Sequence, residues 1–148
     1  MPVAKSQLSN RKAMSEGSTS KRRWDLGDRF LVEEVKSTMM MPDEKGEMKS
    51  MPFEGLSLLG YDNGRNMFVG TWADSFGTQI LTYSGAPNPD GKTFTYYGEM
   101  DEPMLDMRGR MVKYVTRVVS KDKHVFEMYD LAAGDNYKVM EITYTRSK

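Results

Sequence analysis

A chain of 148 residues, 39% hydrophobic and 28% charged, matches one ordinary globular domain and excludes a disordered chain. Twenty-one basic residues balance twenty-one acidic ones, so no global field draws the protein to phosphate backbones or anionic lipid, and nucleic acid and membrane are set aside as partners. Cysteine is absent, which removes disulfides, thiolate nucleophiles and sulfur-ligated metal sites.

Residues 1–13 show no periodicity and read as a flexible tail ahead of a single β-barrel domain over 14–148. The first residues carry no apolar run of signal-peptide length, and no segment approaches the ~20 apolar residues of a membrane helix, so a cytoplasmic protein is expected. From about residue 15 onward, runs rich in Val, Ile, Thr, Tyr and Phe alternate with Gly, Asn, Asp or Pro clusters, the pattern of an all-β protein. The expected architecture is an antiparallel up-and-down meander of about nine or ten strands closing into a β-barrel.

The first reversal falls at Gly27-Asp28 and sets Lys21 opposite Glu34 and Arg22 opposite Glu33. Cross-strand ion pairs therefore explain the basic cluster Lys21-Arg22-Arg23 better than a nucleic-acid patch does. Next comes a longer connection, Met39 to Met51, which holds a dense group of the chain's 14 methionines and is a candidate lid. Flexible thioethers suit an irregular apolar ligand or a mobile loop, and a lineage bias in methionine use accounts for them equally well.

Asn63-Gly64 is the favoured pair for a tight hairpin. With Phe76-Gly77 it places Leu59, Phe68, Trp72, Leu81 and Tyr83 on one face, Gly70 opposite Tyr83 and Gly55 opposite Trp72, and Asp74 and Gln79 at the rim. Aromatics over cross-strand glycines fit a curved barrel wall. Pro89-Asp90-Gly91 is a further turn, and Asp101 to Met107, with Pro103, is the second candidate lid.

Taken as two-residue turns, Lys121-Asp122 and Gly134-Asp135 align Val112, Tyr114, Thr116 and Val118 with Val125, Glu127, Tyr129 and Leu131, joined by Met140, Ile142 and Tyr144. That face is expected inside, with Lys113 paired to Asp130 on the other. Glu127 is then a carboxylate among tyrosines and aliphatics, which requires a partner, water or a ligand. A register slip of one residue would turn it outward, and Thr116 or a tyrosine hydroxyl would satisfy it structurally.

Motifs for phosphate loops, serine elbows and paired-histidine metal sites are absent, so no metal and no cofactor are expected. The one histidine, His124, falls on the outward face beside Lys121 and Lys123 and reads as a solvated turn residue. Glu99, Asp101, Glu102 and Asp106 lack calcium-loop spacing and read as a solvated acidic loop.

Several segments in chain order resemble a known family: Pro52-Phe53-Glu54-Gly55, Leu59-Gly60-Tyr61-Asp62, Val69-Gly70-Thr71-Trp72-Ala73-Asp74-Ser75, Gly77-Thr78, Asp90-Gly91-Lys92, Phe126-Glu127-Met128-Tyr129 and Met140-Glu141-Ile142-Thr143-Tyr144-Thr145-Arg146. Together they are similar to the bacterial family catalogued as domain of unknown function 1579, from about Arg23 to the C-terminus. The resemblance implies a lipocalin-like or calycin-like barrel and no established activity. It also implies a further first strand with a Gly-x-Trp element, which residues 1–22 lack, so that strand is degenerate or the barrel has an open edge. An open edge invites a homo-oligomer.

The expected function is a small-molecule binding barrel for an apolar ligand, contacted by Trp72, Tyr83, Tyr114, Tyr129 and Tyr144 and oriented by Glu127. The rivals are a cofactor-free isomerase or hydrolase that uses Glu127, with a raised pKa, as general acid or base, and a packed oligomeric interaction domain.

Overall fold

The computed structural model describes residues 3–8, 18–102 and 106–147. Nine consecutive strands form an antiparallel meander: β2 (Thr19–Asp25), β3 (Phe30–Pro42), β4 (Met48–Asp62), β5 (Met67–Asp74), β6 (Leu81–Pro87), β7 (Thr93–Glu102), β8 (Met107–Ser120), β9 (Lys123–Asp130) and β10 (Lys138–Arg146). The sheet curls round until β1 (Val3–Leu8) pairs with β10 on one side and β2 on the other, which closes the barrel. Part of the segment expected as a tail is thus the closing strand, and the rest of residues 1–13 lies outside the described residues. Among the described strands no edge is left open, which removes the ground on which a homo-oligomer was expected. No helix among the described residues is long and apolar enough to cross a membrane.

Local chemistry sets the turns. Leu26, Gly27 and Asp28 all take positive φ in the β2–β3 reversal, and the register that follows puts Lys21 opposite Glu34 and Arg22 opposite Glu33, as expected. Glu34 takes its ion pair from Arg23, at 3.3 Å, rather than from Lys21. The Asn63-Gly64 turn is longer than a two-residue loop: Asp62 pairs with Met67, and the Asp62 carboxylate accepts the backbone N–H groups of Gly64 and Arg65. Two extra residues preserve the strand faces, so Leu59, Phe68, Trp72, Leu81 and Tyr83 do point inward. They move Gly55 opposite Asp74, and the Trp72 ring reaches it diagonally instead.

β9 departs from expectation. Its pairing with β8 shifts at Val119, between Val118↔His124 and Ser120↔Lys123, and its pairing with β10 shifts at Val139, between Lys138↔Tyr129 and Met140↔Met128. Each extra residue slips the register by one and exchanges the faces of β9 relative to its neighbour. The two slips cancel, so Val112, Tyr114, Thr116, Met140, Ile142 and Tyr144 face inward as expected, while β9 presents His124, Phe126, Met128 and Asp130 to them. Val125, Glu127 and Tyr129 lie outside, as does Lys113, which sits over the Tyr129 ring at 4.5 Å. Asp130 points inward and pairs with Arg110 rather than Lys113.

The two candidate lids are strand extensions. β3 and β4 stay paired from Ser37↔Phe53 to Pro42↔Met48, and Asp43 closes the tip by accepting N–H groups of Lys45 and Glu47. β7 and β8 stay paired to Glu102↔Met107, and residues 103–105 of the connection between them, with Pro103, lie outside the described residues.

Candidate functional site

The inner face of β4 to β9 is an aromatic wall. Ring centroids run from Tyr61 to Phe68 at 5.0 Å, Phe68 to Tyr96 at 6.4 Å, Tyr96 to Tyr83 at 5.4 Å, Tyr83 to Tyr114 at 5.7 Å and Tyr114 to Phe126 at 6.0 Å. Glycine makes room for it: a Cβ on Gly70 would lie 2.3 Å from the Tyr83 ring, and the glycine lets that ring lie across β5 so that its hydroxyl meets Ser57 Oγ at 2.9 Å. Trp72 lies over Gly55, stacks on Phe53 at 6.3 Å and donates its indole N–H to Asp74.

Across the barrel, β2, β3, β9 and β10 build a polar group on the same inner face. Ser20 donates to Glu33 at 2.6 Å and Arg22 pairs with it at 3.1 Å. The Arg22 guanidinium lies 5.0 Å from the Tyr144 ring centre, and His124 stacks on that ring at 4.5 Å with nearly parallel planes. Burial, reinforced by the Arg22 charge, pushes the His124 imidazole down to about 4, so it is neutral at physiological pH. The structure thus corrects the expected solvated turn residue: His124 faces the interior because of the shift at Val119.

Of the expected site residues, Trp72, Tyr83, Tyr114 and Tyr144 share the inner face. Glu127 and Tyr129 do not join them. Glu127 is buried within the outer wall by Tyr129, whose hydroxyl donates at 2.6 Å, and by Arg117 at 3.1 Å and Lys138 at 3.5 Å. Burial works to raise its pKa, but the hydrogen bonds from Tyr129 and Arg117 and the charges of Arg117 and Lys138 outweigh it and hold the carboxyl low. A general base with a raised pKa is the opposite of this group. Within the barrel, Ser20 touches a carboxylate but is inaccessible, so no substrate carbonyl reaches it. Among the described residues, no three His, Asp or Glu side chains converge as a metal site.

Tyr96, Arg22, Glu33 and His124 belong to this inner face and were absent from the expected set. Arg22 and Glu33 were legible as a pair, and alternation from Val35 would have shown that the pair faces inward. Tyr96 was legible from its place opposite Tyr114.

The inner wall is not packed solid. Phe68, Trp72, Leu81, Tyr83, Phe94, Tyr114, Phe126, Met128 and Ile142 all point inward and all remain only half-buried. Val35, Tyr96, Val112 and Tyr144 are the buried inward hydrophobic side chains beside them, while the side chains under 2% exposed among the described residues are small ones, Val112, Ser18 and Ser20.

A family model described as "Protein of unknown function (DUF1579)" matches residues 4–146, from within β1 to the last residue of β10. The chain belongs to this family. The DUF1579 match includes the closing strand, which agrees with a degenerate first strand rather than a missing one. No curated protein matches the chain.

Proposed function

We propose that this DUF1579 barrel binds a small, largely apolar molecule in its interior, between the aromatic wall and the Arg22–Glu33 group. The observation that carries this reading is the half-burial of most inward rings, Phe68, Trp72, Tyr83, Phe94, Tyr114 and Phe126, in a closed barrel. Such rings have lost part of their hydration without gaining the contacts of a packed core, and an apolar ligand would supply them. Trp72, Tyr83, Tyr114 and Tyr144 remain the proposed contacts. Glu127 and Tyr129 leave the set, since β9 turns them outward. The closed edge supports a single barrel as the binding unit.

Native mass spectrometry of gently purified protein tests the proposal, together with titration of a fluorescent apolar dye. A reproducible added mass, or saturable dye binding competed by apolar compounds, is expected. A bare protein mass combined with no dye uptake would overturn the reading.

A further inference from the structure

Tyr96 and Tyr114 face each other across β7 and β8 and both point inward. Tyr96 is 7% exposed, and neither phenol hydroxyl has a hydrogen-bond partner among the described residues. The neighbouring Tyr83 is different, because its hydroxyl is engaged with Ser57. Neither hydroxyl is among the sealed, unpartnered polar atoms of the described residues, so both open onto the interior as two adjacent donors that no protein group engages. Burial, with the Tyr83 phenol beside both, pushes each of them up to about 12, so both stay protonated donors throughout the physiological range.

The charges around them narrow what they donate to. On the inner face Arg22 is neutralised by Glu33, Arg110 by Asp130, and His124 carries no charge at neutral pH. Among the described residues these inner-face cations are all paired, so an anionic ligand would have to compete with a carboxylate already in place. The flanking surfaces are rings: Tyr83 on one side of the pair, Phe68 and Phe94 beyond Tyr96, and Phe126 against Tyr114.

Resting on the lumen-binding reading above, we infer that Tyr96 and Tyr114 form a paired donor site for the carbonyl oxygen of a neutral, flat aromatic ligand. The ligand's ring lies against the aromatic wall and its oxygen accepts one or both phenol O–H groups. Carbonyl acceptors accommodate two donors through two lone pairs, which suits a cross-strand pair of this kind.

Three naphthalene probes separate this inference from the reading beneath it: 2-acetylnaphthalene, the similarly shaped hydrocarbon 2-isopropylnaphthalene, and the anion 2-naphthoate. Affinities are measured by dye displacement on the full chain and on the Tyr96→Phe, Tyr114→Phe and double variants. In the unaltered protein the ketone binds about tenfold more tightly than the hydrocarbon, as expected for one to two net hydrogen bonds. That preference falls in each single variant and vanishes in the double variant, while hydrocarbon affinity stays constant. Thermal midpoints stay level, since each replacement removes a hydroxyl that no protein group engages and keeps the ring. Equal binding of ketone and hydrocarbon, or a preference that survives the double variant, would overturn the donor pair and leave the lumen reading standing. Tighter binding of 2-naphthoate would overturn the neutral ligand class. Failure of all three probes to bind would overturn the lumen reading and the inference with it.

Discussion

Two carboxylates in this barrel are each held by an arginine and each stand beside a tyrosine, yet they lie on opposite sides of the wall. Glu33 faces the interior with Ser20 and Arg22, and its side chain is 17% exposed. Glu127 faces outward with Arg117, Tyr129 and Lys138, and its side chain is 10% exposed. The outer carboxylate is the better buried of the two. Long side chains lie over it and carry their charged ends to water, whereas the interior is not filled over Glu33. In this barrel, burial does not report which side of the wall a group is on, and strand parity does.

Removing a cation should separate the two sites most clearly. Arg22→Met leaves Glu33 without its counter-charge and is expected to cost about 3 kcal/mol in urea unfolding, with much of the loss recovered in the Arg22→Met, Glu33→Met double variant. Arg117→Met should cost less than about 1 kcal/mol, because Arg117 is half exposed and Tyr129 and Lys138 remain on Glu127. A larger loss from Arg117→Met than from Arg22→Met would collapse the contrast.

Acid should resolve the same two sites into different windows. His124 has its folded pKa lowered from 6.5 to about 4, so the unfolded chain takes up the proton first and stability falls as pH drops from 6.5 to about 4. Allowing for its partial solvent access, the loss is about 2 kcal/mol, and His124→Phe should flatten that window in pH-dependent urea melts. Glu127 is also lowered, from an ordinary value of 4.5, so its contribution is present above 4.5 and is lost below it, as pH falls through the folded value. Glu127→Gln should remove only this lower window and cost about 1 kcal/mol at neutral pH.

The smallest effect is the sharpest test of parity. Glu127→Gln should leave dye affinity for the interior within about twofold of the unaltered protein, about 0.4 kcal/mol. A tenfold change would mean that the outer group reaches the lumen after all.

The fold was legible because alternation and turn residues repeat along the chain: the Gly27-Asp28 reversal set the β2–β3 register, and Phe76-Gly77 set Gly70 opposite Tyr83. An error of two residues at Asn63-Gly64 did no harm to the faces, because side chains alternate with a period of two. The site was legible only where strands are regular. Trp72 and Tyr83 fall on such strands, and Tyr114 and Tyr144 keep their faces because β9 takes up the slips on β8 and β10. Glu127, Tyr129 and His124 fall between Val119 and Val139, where one extra residue on each neighbouring strand exchanges inside and outside. Valine carries no turn or bulge signal, so nothing in the local composition marks either position.

Those two valines also bear on how the lumen could diversify. β9 is held out of phase with both neighbours, and its inward set is decided by two single residues on those neighbouring strands. Losing both Val119 and Val139 would restore phase on each side and exchange His124, Phe126, Met128 and Asp130 for Val125, Glu127 and Tyr129, while β8 and β10 kept their own faces. Short deletions at strand margins would then rewrite one wall of the barrel interior wholesale, a change that point substitution of the lining does not offer.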